Sequence, residues 1–170
     1  MFGWFKKTNA DALAVRKWRD AVTVMAREPE PFLRGWIADT IYGRFHMVAL
    51  VATLAMRRFR EQGREGQALS KAFSEMLFSD FDHSLREHGV GDSSIARRIR
   101  KMGEEFYGLA TAVDEALEQG GPDKHLAEVI RRNIQPDRDK ALMLATYVLD
   151  LNERVERVPA ELILVGPDEM

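Results

Sequence analysis

The sequence predicts an all-α fold, a single-domain helical bundle of about six to seven helices. Three observations support this prediction. Apolar residues recur every three or four positions along most of the chain, helix-forming residues are plentiful, and the periodic segments are separated by Gly or Pro. The clearest apolar stripe, in which every step is three or four residues, is Ile95, Ile99, Met102, Phe106, Leu109, Val113 and Leu117.

Polar residues stand where three of the predicted helices begin, and their side chains can accept hydrogen bonds from the free backbone amides of a first turn. These candidate caps are Thr8 or Asn9, Asp39 or Thr40, and Asp92 or Ser93, while Pro136-Asp137 marks the start of the last helix. Proline and glycine mark the breaks, because proline disfavours helix in the residue before it and glycine adopts left-handed turns. The predicted breaks are Glu28–Pro31, Gln62–Gly66, Gly89–Asp92, Gly120–Asp123 and Pro159.

The helix that follows Thr40 is apolar nearly all round between Met47 and Met56. Such a helix is usually central in a bundle, with neighbours on several sides. At the other end of the chain, the apolar tail, residues 162–165, either packs on the body or forms a short edge strand. We divide the chain into residues 1–30, which hold the N-terminal segment and the first helix, and a helical domain of residues 31–170, together one compact domain.

The composition is that of a folded domain and points to no nucleic-acid partner. The chain has 170 residues, of which 45% are hydrophobic and 31% charged. This length allows a sizeable core. The formal net charge of -2 gives no electrostatic footprint for DNA. The absence of cysteine excludes disulfides, thiolate metal sites and cysteine nucleophiles.

The sequence contains no motif of a known catalytic site. It has neither a phosphate-binding Gly-rich loop followed by Lys-Ser or Lys-Thr nor a Gly-x-Ser-x-Gly elbow. Asp80, His83 and Glu87 share one helical face at spacings typical of metal ligands. An ordinary solvated helix end is the preferred interpretation, and a metal-dependent hydrolase ranks third among the functions that we consider. We therefore predict no enzyme, no metal and no cofactor.

The arginines suggest a partner more strongly than the carboxylates suggest chemistry. Most of them fit a solvated surface that pairs with the equally numerous acids. The exception is the cluster Arg97, Arg98, Arg100 and Lys101, which lies near a helix N-terminus, where the macrodipole makes cations locally unfavourable. This placement indicates either an external acidic partner or pairing across the preceding corner. The candidates for such pairing are Asp80, Asp82 and Glu87.

The first residues carry a short aromatic and basic patch. Phe2, Trp4 and Phe5 can enter a membrane interface while Lys6 and Lys7 meet the phosphates, or the rings can pack on the domain. The order apolar then basic is the reverse of a secretory signal. The longest apolar-rich run, residues 45–56, falls short of the ~20 residues that span a bilayer.

Several segments, in their order and spacing, resemble the ubiquinol–cytochrome c chaperone family. The likeness covers roughly residues 31–121 and is centred on the corner from Ser79 to Asp92. Its carriers are Asp39-Thr40-Ile41-Tyr42-Gly43-Arg44-Phe45, Met56-Arg57-Arg58-Phe59, Met76-Leu77-Phe78-Ser79-Asp80-Phe81-Asp82, Leu85-Arg86-Glu87-His88-Gly89-Val90-Gly91-Asp92, Arg97-Arg98-Ile99-Arg100-Lys101-Met102 and Phe106-Tyr107-Gly108.

The resemblance implies a non-enzymatic assembly chaperone for cytochrome b in the biogenesis of the ubiquinol–cytochrome c reductase (bc1) complex. The client it implies is cytochrome b or another bc1 subunit. Because some relatives act at the ribosome exit, a ribosome or a small partner protein is also an expected contact. A short chain without a targeting peptide looks like a bacterial member. Its expected location is the cytoplasm, peripheral to the cytoplasmic face of the inner membrane.

We interpret the resemblance physically as a groove lined by Met and Phe that holds apolar client segments. The candidates for this lining are Met47, Met56, Met76, Met102 and Phe78. Phe78 lies off the apolar stripe of its helix and is the residue that we expect to be exposed. The candidate interaction surface is Phe78, Asp80, Asp82, Arg86, Arg97, Arg98, Arg100, Lys101 and Tyr107. The alternative function is a general helical adaptor that binds a protein or a ribosomal RNA surface through its arginine clusters.

Overall fold

The structure, a computed structural model, describes residues 2–89, 91–135 and 137–168, without the side chains of residues 2–11, 92, 93 and 122. The described chain contains six long helices and two of four residues, and no strand. The predicted all-α bundle is therefore confirmed. The helices are α1 (Phe2–Ala26), α2 (Glu30–Leu33), α3 (Ile41–Arg60), α4 (Gly63–Glu87), α5 (Asp92–Glu118), α6 (Pro122–Asn133), α7 (Arg138–Glu156) and α8 (Ala160–Ile163).

Helix α3 is the centre of the bundle, as its all-round apolar sequence predicts. Every residue from Ala49 to Ala55 is buried, including Thr53, whose hydroxyl donates to the carbonyl of Ala49 at 2.8 Å. Helices α1, α4, α5 and α7 all pack against it, and α6 packs between α5 and α7. The packing of α1 on α3 and α4 supports one compact domain, and the boundary near residue 30 stays a prediction.

The caps are partly as predicted. Thr40 accepts from the amide of Gly43 at 3.0 Å, and Asp137 accepts from the amide of Lys140 at 3.0 Å. Gly89 has φ +74°, the left-handed conformation expected after α4. Two starts differ from the prediction. Helix α1 already begins at Phe2, upstream of the predicted Thr8 or Asn9 cap, and Gly91 occupies the N-cap position of α5.

The C-terminal tail packs on the body as a short helix, so the edge-strand alternative is wrong. Ile163 is fully buried, and its carbonyl accepts a hydrogen bond from Nε1 of the buried Trp18 at 2.8 Å. Lys17 of α1 pairs with Asp168, which extends the same contact. The indole therefore ties the tail to α1, and a strand would have no partner because no other strand exists in the described chain.

A half-buried carboxylate joins α3 to α5. Asp114 accepts from Arg57 at 2.9 Å and also pairs with Arg60. Burial by itself would raise the pKa of the Asp114 carboxyl, but hydrogen bonds from Arg60 and Arg57 outweigh it and hold the pKa below its usual value. These contacts give Arg57 and Arg60, near the end of the central helix, a structural role.

Gly66 allows the close approach of α4 to the end of α3. A Cβ atom at this position would lie 1.6 Å from the carbonyl oxygen of Phe59, whereas one at Gly108 would meet nothing within 4 Å. We therefore expect Gly66→Ala to lower the free energy of unfolding by about 1–3 kcal/mol, because the backbone has to shift. Urea unfolding, monitored by circular dichroism, measures this change in the free energy of unfolding.

The matched control is Gly108→Ala, an exposed position inside α5. There the better helix propensity of alanine should leave stability unchanged or raise it by about 0.5–1 kcal/mol. A Gly66→Ala protein as stable as the wild type would contradict the packing of the α3–α4 turn described here.

Candidate functional site

An open groove of about 720 Å³ lies between the C-terminal part of α1, the N-terminal part of α3 and the C-terminal half of α4. Its floor is apolar and its edges are polar. Phe45, Leu77, Leu85 and Met102 are buried beneath it, and Ile41 is 39% exposed at its edge. An apolar ligand on this concave surface would lose water contact.

The groove follows from regular side-chain spacing on three helices. Leu77, Phe81 and Leu85 recur every four residues on α4, so they form one stripe. Phe45 of α3 packs edge-on against Phe81, with ring centroids 5.2 Å apart. On α1 the wall opposite α4 carries the short side chains of Thr23 and Ala26. Small residues on one wall and large rings on the floor leave the cleft open.

The carboxylates at the groove edges are all paired. Nη1 of Arg19 lies 3.4 Å from Oδ2 of Asp80, and Nε of Arg19 lies 2.9 Å from Oδ1 of Asp20 as an ion pair without hydrogen-bond geometry. Glu87 lies 3.4 Å from Nε2 of His83. The pair of Arg19 with Asp80 joins α1 to α4, so it ties the two walls of the groove together.

The cations at the same edges are less completely paired. Arg44 binds Asp39 through two hydrogen bonds of 2.6 and 3.1 Å and stacks over the ring of Phe32. Arg27 is exposed and pairs with no carboxylate among the residues that the structure describes. The groove lining holds three arginines, Arg19, Arg27 and Arg44, and three carboxylates, so its formal charges balance.

The three arginines of the α5 cluster have no carboxylate partner among the described residues. Arg97, Arg98 and Arg100 are exposed, and none of them pairs with a carboxylate in the described part of the chain. Lys101 lies 3.6 Å from Glu105. The alternative of pairing across the corner is wrong, because all three acids have other partners. These pairs are Asp80 with Arg19, Asp82 with Arg86 at 2.7 Å, and Glu87 with His83.

Phe78 is partly buried, so the expectation that it is exposed needs correction. Its ring packs against those of Phe81, Phe106 and Tyr107, with centroids 5.7, 5.4 and 6.2 Å away. Helix α5 covers this face of α4. Tyr107 is the exposed member of the aromatic cluster, at 52%. Of the predicted interaction residues, only Asp80 lines the groove.

The sequence did not reveal where the groove lies. The stripe of Leu77, Phe81 and Leu85 is typical of a core. Leu77 and Leu85 are buried and Phe81 is partly buried, yet all three line the groove. Of the methionines that we expected to line a groove, Met102 lies at its base, whereas Met47 is buried in the core. No local signal distinguishes an apolar stripe that is fully covered from one that is half covered.

The possible metal ligands are not brought together. Asp80 faces Arg19, while His83 and Glu87 face each other on the surface. Within the described residues, no group of three or more His, Asp or Glu side chains could hold a metal ion. His46, which borders α5, is mostly buried, and burial lowers the pKa of its imidazole although Glu105 opposes this shift.

The predicted membrane contact lies outside the described side chains. It consists of Phe2, Trp4, Phe5, Lys6 and Lys7, and it stays a prediction. Among the described helices, none is both long enough and apolar enough to cross a bilayer.

Comparison with known proteins gives the family. The family model for ubiquinol–cytochrome c chaperones matches residues 35–168. The crystal structure of the Cbp3 homolog from Brucella abortus superimposes with a TM-score of 0.83 at 28% sequence identity, over 98% of this chain and 93% of that one. No curated protein gives a significant match. The family match covers more than half of the chain, including the floor of the groove, and the chain therefore belongs to the ubiquinol–cytochrome c chaperone family.

Proposed function

We propose that this chain is a non-enzymatic assembly chaperone of the bc1 complex and that its client is cytochrome b. The observation that carries the proposal is the open apolar groove in a chain of this family. A membrane subunit exposes apolar helices before its partners and haem are in place, and such surfaces aggregate in water. The groove offers a temporary cover for one of them.

The size of the groove fits transient holding. Two or three large apolar side chains would find room against the floor formed by Phe45, Phe81 and Leu85. Each gains about 1.5–3 kcal/mol on burial, and much of the sum is lost again to the cost of association. The net binding free energy from these contacts is therefore at most about 4 kcal/mol, which corresponds to a dissociation constant on the order of millimolar or weaker. A client held this weakly can be passed to its assembly partners.

We assign the cationic cluster of α5 a second role. The exposed guanidinium groups of Arg97, Arg98 and Arg100 are available to carboxylates or phosphates of a partner. Arg98 lies one turn before Met102, which forms the base of the groove, so the cluster and the groove lie close along α5. The proposed place of action is the cytoplasmic face of the inner membrane, where the client is inserted.

The same arginines support the alternative of a general adaptor for a protein or a ribosomal RNA surface. That function would depend on the cluster and not on the groove. RNA binding with a steep salt dependence, in a host whose bc1 complex assembles normally without this chain, would favour it.

The first test of the proposed function is deletion of the gene in its host, with complementation from a plasmid. We expect the deletion to lose assembled bc1 complex on native gels together with cytochrome b haem absorbance. The wild-type plasmid should restore both. Ser84→Trp should restore neither, because Ser84 lines the groove and an indole would fill it.

The matched control is Ser79→Trp, an exposed position on the same helix that does not line the groove. It should complement as the wild type does. Normal bc1 levels in the deletion strain would contradict the assembly role, and full activity of Ser84→Trp would contradict the role of the groove.

Reversal of charge at Arg97, Arg98 and Arg100 tests the cationic cluster. We expect the triple Glu variant to retain its circular dichroism spectrum, because these side chains are exposed and form no ion pair with another described residue. Its association with client or with the membrane fraction should fall at least about tenfold, since each arginine contributes about 1 kcal/mol near an anionic surface. Co-sedimentation and co-purification measure this.

The control reverses three dispersed arginines, Arg16, Arg64 and Arg138, which are exposed and unpaired in the described chain. The change in net charge is the same. Equal losses in the two variants would show that only net charge matters. No loss in either variant would show that the cluster is not part of the binding surface.

A further inference from the structure

We infer that one end of the bundle docks on the headgroup layer of an anionic membrane. The inference deepens the proposed function, on which it rests only for the place of action. Three observations at this end lead to it: exposed apolar side chains gather there, cations without a carboxylate partner surround them, and the basic residues of α5 are concentrated in the half of that helix which points there.

The end concerned, which we call the α2 end, contains residues 27–44 together with the first turns of α5 and α7. Near the far ends of α3 and α5, Arg57 meets Asp114 at 2.9 Å. Toward the starts of these helices, Glu105 is near enough to His46 to act on its charge. Helices α3 and α5 therefore run in the same direction, and the first turns of both lie at the α2 end.

The turn from α2 into α3 exposes large apolar side chains. Leu33 is 83% exposed, and Ile41 and Tyr42 at the start of α3 are 39% and 40% exposed. The chain reverses after Leu33 through Gly35, whose φ is +65°. A leucine that is exposed to this degree stands on a projecting turn and not in a cleft.

The start of α7 extends the apolar surface. Gln135 donates to the carbonyl of Trp36 at 3.1 Å, and the rings of Trp36 and Tyr147 lie 6.1 Å apart, so α7 begins beside α2. One turn before Tyr147, Met143 is 49% exposed, and Leu142 is 38% exposed. Five of the nine large apolar residues that are exposed in the described chain thus lie at the α2 end. Single exposed apolar residues are ordinary, but such a group marks an interaction surface.

Cations without a carboxylate partner in the described chain surround these apolar residues. All of them are exposed, and they come from α1, α5 and α7: Arg27, Arg97, Arg98, Arg100, Arg138 and Lys140. The described carboxylates at this end pair with arginines, apart from Glu87, which faces His83, Asp137, which caps α7, and Asp139, which has no partner. The free cations therefore outnumber the carboxylates that lack an arginine.

The charges of α5 have the same polarity along the helix. Its first half carries the basic cluster from Arg97 to Lys101, whereas its last turn carries Glu115 and Glu118 and no basic residue. The helix dipole favours cations in the last turn, so the stability of the helix does not explain this order. An anionic surface at the α2 end does explain it.

Lipid headgroups fit this combination better than a protein surface does. Peripheral proteins place large apolar side chains in the headgroup layer and arginines against the phosphates, which a guanidinium binds through two hydrogen bonds. A protein partner would need a separate pocket for each projecting side chain, whereas fluid lipid closes around all of them. Each arginine near an anionic bilayer raises the affinity about fivefold, so several together support reversible docking.

This surface differs from the membrane contact predicted at residues 2–7. Those residues begin α1, whereas the α2 end holds its last turn, about 30 Å further along the helix. A flat membrane under the α2 end leaves the start of α1 in water. The two contacts therefore predict different orientations of the protein.

The absence of cysteine allows a single polarity-sensitive label at a chosen position. Leu33→Cys, Met143→Cys, Leu13→Cys and Phe5→Cys are each labelled with nitrobenzoxadiazole and mixed with vesicles of phosphatidylcholine, with or without phosphatidylglycerol. We expect binding only to the anionic vesicles, with a blue shift at positions 33 and 143. Position 13 is 53% exposed and about 20 Å from the last turn of α1, so it should show no shift, and neither should position 5.

Co-sedimentation of matched variants measures the affinity. Leu33→Ser should weaken binding to anionic vesicles about tenfold, because a leucine leaves the interface, whereas Leu13→Ser should leave it unchanged. Arg138→Glu should weaken binding about tenfold, whereas Arg64→Glu, at the start of α4 and the opposite end of the bundle, should have little effect. All four side chains are exposed, so the variants should fold.

Three results would overturn the inference: no binding to anionic vesicles, a shift at position 5 without one at position 33, or equal losses within both matched pairs. Binding of polyglutamate or RNA without binding of vesicles would also overturn it and would indicate an acidic partner of that class.

The vesicle test needs no client, so its outcome is separate from that of the proposed function. Docking by a protein whose deletion leaves bc1 assembly normal would refute the function and keep the docking surface. Loss of the bc1 complex on deletion, without docking on vesicles, would do the reverse.

Discussion

The burial of α3 on every side is the constraint on which the rest of the structure depends. Between Ala49 and Ala55 this helix has no exposed face, and α1, α4, α5 and α7 pack around it. The cover ends toward its N-terminus, where Ile41 and Tyr42 are 39% and 40% exposed. The groove lies at this end, so the same helix supplies both the rigid centre of the bundle and the floor of the proposed binding site.

The contacts that hold the helices together lie apart from the proposed binding groove. The tail and α1 are joined by the hydrogen bond from Trp18 to Ile163, and α3 is joined to α5 through Asp114, so the helices that frame the groove are held at points away from it. Across the groove itself, α1 and α4 share the pair of Arg19 with Asp80, whose side chains are 32% and 46% exposed. Exposed pairs contribute about 0–1 kcal/mol, so this tie between the walls is weak.

Much of the fold was predictable, because local signals determine helix ends and core stripes. The caps at Thr40 and Asp137 and the left-handed Gly89 follow from side-chain and backbone chemistry within a few residues. The candidate site was harder to predict from the sequence. Phe78 looked exposed because its helix was judged alone, whereas the next helix, α5, packs back over it. The groove itself results from where α1 stops covering α4, which no single segment encodes.

The central claim is that the groove contacts cytochrome b during assembly. The most direct measurement places a photoactivatable amino acid at His88, on the exposed edge of the groove, or at Ser79, outside it, and irradiates the host while cytochrome b is being made. The account predicts an adduct of the two proteins from position 88 and little or none from position 79. An adduct from position 79 alone, or none from either in cells that assemble the bc1 complex, would contradict it.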